Sequence, residues 1–174
     1  MANKQTVNEI MVGIFDYPHV PYWFSIAQTM KIMKASFFQN KKAPDPKAVL
    51  VFDEKYSLKG FITIKEVLKG LEPEFLKPTL TSEIPENNTV SLTVVWDELF
   101  SKESKNLAEK TVDNIMLPVK HFVDPEDPIV KAAYIMLHNN LVLLPVLEEK
   151  RRFAGLVRLN EVFENISIRV LNKE

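Results

Sequence analysis

Short apolar runs, broken by compact polar patches, recur twice along the chain with matched spacing. In the second occurrence Leu143–Leu147 is apolar, Glu148–Arg152 is charged, and a further apolar run crosses Gly155 into the helix-like Leu159–Phe163. Runs this short, separated by polar residues, predict a strand–turn–strand hairpin feeding a helix. Ala48–Leu68 repeats the unit at an offset of 95 residues, with six of 21 positions identical and eight further pairs apolar in both. The identities include Val51/Val146, Gly60/Gly155, Glu66/Glu161 and Val67/Val162. A unit repeated this way makes the chain a tandem repeat.

Upstream pieces match as well. Thr6–Met11 and Thr111–Met116 correspond at an offset of 105, each reading as a short helical turn. The first turn is followed by a Pro- and aromatic-rich stretch (DYPHVPYWF). The second is followed by LPVKHFVDPED, read as a short strand around His121–Val123 and a turn. A helix then opens in each half. Ser25 and Gln28 have the spacing of a capping box, and Ile26, Met30, Met33 and Phe37 form one apolar face. Asp127 is the expected N-cap of the second helix, with Pro128 in its first position and Ile129, Ala133, Met136 and Asn140 continuing the face at an offset of 103. Offsets that fall from 105 to 103 to 95 confine the length differences to loops, the largest being Phe38–Lys47. The chain therefore divides into a first repeat over residues 1–70, a connector over 71–110 and a second repeat over 111–170. The connector is broken at Pro73, Pro78 and Pro85 and turns helical in pattern from Thr89 to Leu107.

Composition narrows the function classes. Of 174 residues, 46% are hydrophobic and 26% charged, enough apolar material for a core without staples. The absence of cysteine excludes disulfides and thiolate metal sites and suits a reducing cytosol. A net charge of -1 is unlike the basic balance of a nucleic-acid binder. MANKQTVNEI has no apolar core of a signal peptide, and no apolar run is long enough to span a bilayer, so a cytoplasmic protein is expected.

The order helix turn–strand–helix–strand–strand–helix, found twice, resembles a pair of CBS (cystathionine-β-synthase) domains, the Bateman module. The second half carries the resemblance in V112-D-N-I-M, D127-P-I-V-K-A, L144-P-V, G155-L-V and E161-V-F. The first carries it in V7-N-E-I-M, S25-I-A-Q, V51-F-D, G60-F-I-T and E66-V-L. The connector lies outside it, and the DYPHVPYW segment departs from it. The resemblance implies an α/β (α+β) fold of two repeats about a pseudo-twofold axis and a regulatory, non-enzymatic module that forms a homodimer. It also implies an adenosine-containing ligand, such as AMP, ADP or ATP, in the cleft between repeats. The family's ribose motif falls on Thr63 and Glu66 in the first half and on Arg158 and Glu161 in the second, with Glu at both positions where the family has Asp. Backbone of the Ala48–Val49 and Leu143–Leu144 strands would meet the adenine.

Each of these positions has a plainer reading. Thr63-x-x-Glu66 has the spacing of a capping box. Arg158 can pair with Glu161 or Glu66 or meet a phosphate, and Asn160 is the better N-cap there. Both glutamates, the arginine at the Thr position and the aromatic connector also fit a dimeric protein-interaction module whose nucleotide site has degenerated. Lys150–Arg152 reads as a solvated hairpin tip. His19, His121 and His138 lack metal-ligand spacing, and no P-loop, GxGxxG or GxSxG occurs, so neither a metal nor a catalytic site is expected.

Overall fold

The computed structural model describes residues 5–74 and 102–171. In the first half, β1 (His19–Pro21) leads to α1 (Ile26–Lys34), which continues as a π-helical turn over Ala35–Gln39; the hairpin β2 (Val49–Phe52) and β3 (Leu58–Ile62) then feeds α2 (Ile64–Gly70). In the second half, β4 (Leu117–Pro118) leads to α3 (Ile129–His138), and the hairpin β5 (Leu143–Glu148) and β6 (Arg152–Arg158) runs straight into α4 (Leu159–Leu171). Thr6–Met11 and Thr111–Met116 each supply the expected turn, at Val7–Glu9 and Val112–Asn114. The Thr89–Leu107 pattern lies mostly outside the described residues; its last part, 102–107, is helical.

The fold is mixed α/β, two similar layers of hairpin and helix. The capping box at α1 forms as predicted, with Gln28 N donating to Ser25 Oγ at 3.1 Å and Ser25 N to Gln28 Oε1 at 2.8 Å. Both hairpins are antiparallel, and both shift register at the same place in the repeat, Val51/Phe52 and Val146/Leu147. Three apolar clusters hold the layers. Val49, Val51 and Ile62 pack beneath Ile26, Met33 and Val67 in one half; Leu144, Val146 and Val157 pack beneath Ala133, Met136 and Val162 in the other. Between the two sheets lies a third cluster, with Ala48, Leu50 and Phe52 meeting Leu143 and Leu156. A strand buried on both faces needs apolar residues at every position, which explains the unbroken run VLVF.

The leader of each repeat packs on the other repeat. β4 pairs with β3, Phe61 opposite Leu117 and Gly60 opposite Pro118. In the symmetric place Val12 bridges Leu156 through two backbone bonds of 2.8 and 2.9 Å. Val7 belongs to the core of the second half and Val112 to that of the first. The two halves are thus interlocked.

Three local readings differ. Of His121–Val123 only Val123 pairs, in a parallel bridge to Val146, and the strand proper is Leu117–Pro118. The N-cap of α3 is Pro128, in extended backbone; Asp127 instead accepts from Asp124 N at 2.9 Å and pairs with Lys131 at 2.7 Å. Asn160 does not cap α4, because the helix starts at Leu159, directly after β6. Among the described residues no helix is long and apolar enough to cross a membrane.

Candidate functional site

Successive residues of a strand point to opposite faces. That alternation divides the four strand candidates. Ala48 and Leu143 face the space between the sheets, whereas Val49 and Leu144 point into the two separate cores and are fully buried there.

A cleft of about 360 Å³ opens where the start of β2, the end of β3, the leader of the second repeat and the α3–β5 loop meet. Ala48, Phe61, Val119, Leu143 and Pro145 make its apolar walls. Thr63, Lys120, His121, Asn139 and Asn140 supply its polar groups. Lys120 and His121 are exposed, so their donors remain available. Asn140 sits at φ 53°, a left-handed position that ends α3, and Asn139 is spent in part on Ile135 O at 2.8 Å. An apolar slot with a few convergent polar groups and a basic rim suits a flat ring that carries an anionic tail.

Glu66 is buried and engaged with Thr63. The carboxylate accepts from Thr63 N at 3.0 Å and from Thr63 Oγ1. The capping-box reading of Thr63-x-x-Glu66 is therefore realised, and Thr63 rather than Glu66 reaches the cleft. A larger groove, about 520 Å³, runs along α2 and contains Glu66, Glu72, Glu74 and Glu103 against Lys69 and Lys110. Its excess of carboxylates disfavours an anionic ligand, so the smaller cleft is the better candidate despite its size.

In the second half Arg158 and Glu161 form a forked pair. Arg158 Nε donates to both carboxylate oxygens, at 2.8 and 2.9 Å, and a terminal nitrogen bonds Oε1. The pair is about three-quarters buried, with side-chain exposures of 25% and 21%. The hydrogen bond to Glu161 raises the already high pKa of the guanidinium against the opposing effect of burial. Asn160 Nδ2 reaches across to Asp45 Oδ2 at 3.3 Å. Beside this pair lies Tyr17, whose hydroxyl is buried without a hydrogen-bond partner among the described residues. Burial pushes the phenol up to about 12, and the nearby charge of Arg158 opposes that shift. Removing the carboxylate strands a partly buried cation. Glu161→Gln is therefore expected to destabilise the chain by about 1–2 kcal/mol, read as a lower urea midpoint at unchanged slope.

Of the candidate positions, Thr63, Ala48 and Leu143 line one cleft, and Lys120, His121, Asn139 and Asn140, which were not among the candidates, line it with them. Helix-ending Asn139-Asn140 is a turn signal. Nothing in the pattern marks Lys120 and His121, which reach the cleft only because the leader crosses to the opposite repeat. His19 and His138 take packing positions, edge-on to Phe52 with ring centres 6.1 Å apart and tilted on Tyr134 at 4.2 Å. Among the described residues no group of His, Asp and Glu is arranged to hold a metal ion.

Residues 112–168 match the CBS domain family. Among solved structures, the chain is similar to the CBS-pair protein CBSX2 from Arabidopsis thaliana, at 18% identity and TM-score 0.64 over 98% of this chain and 100% of that one. It is similar to the CBS domain pair of protein MJ0100 in complex with 5′-methylthioadenosine and S-adenosyl-L-methionine, at 16% identity and TM-score 0.57 over 95% and 98%. It is also similar to the cytosolic domain of the Mg2+ channel MgtE in complex with ATP, at 15% identity and TM-score 0.61, covering 94% of this chain but only 49% of that one. The sequence matches no curated protein.

Proposed function

Since the chain carries a CBS domain over residues 112–168 and has the fold of a tandem CBS pair, we propose that it is a non-catalytic regulatory module that binds an adenosine-containing ligand in the inter-repeat cleft. The single observation behind this reading is the cleft of about 360 Å³ with apolar walls and a basic rim. Its volume is at the small end of ordinary ligand sites, roughly 300–1,000 Å³, so a nucleoside with a protruding tail fits better than a large cofactor. The heterocycle lies between Ala48, Phe61 and Leu143, Thr63 meets the ribose, and Lys120 with His121 meets the phosphates. Glu66 would act on the ribose only by releasing Thr63, so its role here is to orient Thr63. The neighbours in complex with ATP or with S-adenosyl-L-methionine make these two ligands the first to test.

A ligand that prefers the folded state raises the melting temperature by linkage. Thermal shift with ATP, ADP, AMP, S-adenosyl-L-methionine and 5′-methylthioadenosine at millimolar concentration is expected to show at least one clear increase. A flat response to all five sinks the ligand reading.

The module acts as a cytoplasmic homodimer in this proposal, paired through α3 and α4. On α3, Val130, Tyr134 and Leu137 are 63–69% exposed at i, i+4 and i+7, opposite the core face, and Phe163 and Val170 of α4 are exposed as well. The chain should elute at twice its 20.0 kDa mass, and Tyr134→Lys should shift it to one, measured by light scattering. If the thermal panel is flat and Tyr134→Lys still abolishes an association, the second reading holds: an interaction module with an idle nucleotide site. The closed state of the Arg158–Glu161 side favours that reading.

A further inference from the structure

The pseudo-twofold relation requires a second cleft, and its contents can be read by transferring the first by 95 residues. Ala48, Phe61 and Thr63, which line the open cleft, map to Leu143, Leu156 and Arg158, while Leu143 and Pro145 map back to Ala48 and Leu50. Those residues surround Tyr17: Ala48, Leu50, Leu143 and Leu156 share its apolar cluster, and Arg158 lies beside its hydroxyl. The Tyr17 side chain therefore stands in the volume that the first cleft leaves open, and the residue is only 3% exposed.

The origin of the difference lies in chain length. Leu117 pairs with Phe61 and Val12 with Leu156, equivalent contacts; Val123 bridges Val146 and Val20 pairs with Val51, again equivalent. Five residues separate the two contacts in the second repeat (118–122) and seven in the first (13–19). The two additional residues are taken up by the turn Ile14–Asp16, closed by Tyr17 N to Ile14 O at 3.2 Å, which directs Tyr17 inward. At the matching place in the second repeat, three residues before the bridge, stands Lys120, which is exposed and with His121 faces the open cleft instead. Asp45 paired to Asn160, and Arg158 paired to Glu161, flank the filled cleft.

We propose that Tyr17 is a built-in occupant of the second inter-repeat cleft, its ring taking the place of a flat heterocycle, so that the chain binds one ligand where its symmetry offers two. The stoichiometry part rests on the proposed function above; the occupancy part does not. Two readouts on the full chain keep them apart. p-Cresol, the side chain of tyrosine as a free molecule, should raise the melting temperature of Tyr17→Gly by about 3 °C or more and leave wild type and Tyr17→Phe unchanged. Titration calorimetry with ATP should give one site per chain in wild type and two in Tyr17→Gly. Should Tyr17→Gly not fold, Tyr17→Leu, which also leaves room beside Arg158, takes its place in both arms. Equal p-cresol responses in wild type and variant, no response in a folded variant, or two ATP sites per wild-type chain would each overturn the proposal. A selective p-cresol response with no ATP bound anywhere supports the occupant and removes the nucleotide reading alone.

Discussion

Gly155→Ala and Gly60→Ala are each expected to lower the melting temperature by about 5–10 °C, the effect of roughly 2–3 kcal/mol of overpacking in a chain of this size. Neither glycine has a positive φ, so the cause is space and not backbone freedom. A Cβ on Gly155 would stand 2.7 Å from Val12 O, and one on Gly60 2.4 Å from Leu117 O. Both obstacles are backbone atoms of the crossing leaders, which cannot move aside as a flexible side chain would. Val12 O also accepts from Leu156 N at 2.9 Å, so the strain falls on the bridge that interlocks the halves. Differential scanning calorimetry of the two variants checks this, with Gly13→Ala as control, since nothing lies within 4 Å of a Cβ there. A change below about 1 °C in both variants would show that the crossings tolerate a methyl group and carry little of the stability.

Lys120→Glu is expected to weaken binding of a triphosphate ligand about 10- to 100-fold while leaving the melting temperature of the free protein within about 1 °C, because one charge-assisted contact is worth roughly 1.5–3 kcal/mol. Lys120 is exposed on the cleft rim, so its replacement disturbs no core packing. The reversal should cost ATP more than AMP and AMP more than 5′-methylthioadenosine, which has no phosphate, and the ordering should flatten at high salt. Calorimetric titration of the three ligands decides it. Equal loss for all three would mean that Lys120 shapes the cleft instead of meeting phosphate.

The tandem unit was legible because burial imposes period. Hairpins buried on both faces read as short apolar runs, and two copies at a constant offset of 95 reveal themselves without a template. Caps at Ser25 and Thr63 were legible because their chemistry is local, three residues from donor to acceptor. Arg158 and Glu161 could be seen to suit each other, but whether the guanidinium meets Glu161, Glu66 or a phosphate depends on a rotamer and on neighbours distant in sequence. The Ala48–Val49 and Leu143–Leu144 strands were candidates for their backbone, and only the packed sheets show that the side chains of Val49 and Leu144 belong to the two cores.

Most of the elements, their repetition and the loops where the repeats differ could be read along the chain, since these follow from local propensity and from the periodicity of burial; the strand at Leu117–Pro118 and the start of α4 could not. The tertiary structure was needed to show which leader crosses to which half, why Gly60 and Gly155 have no side chain, and that Lys120 and His121 meet the cleft of Thr63. It alone decided that two extra residues before Val20 bring Tyr17 into the space between the sheets. Each of these is a meeting of segments dozens of residues apart, set by the packing of two interlocked halves, and no local pattern along the chain records it.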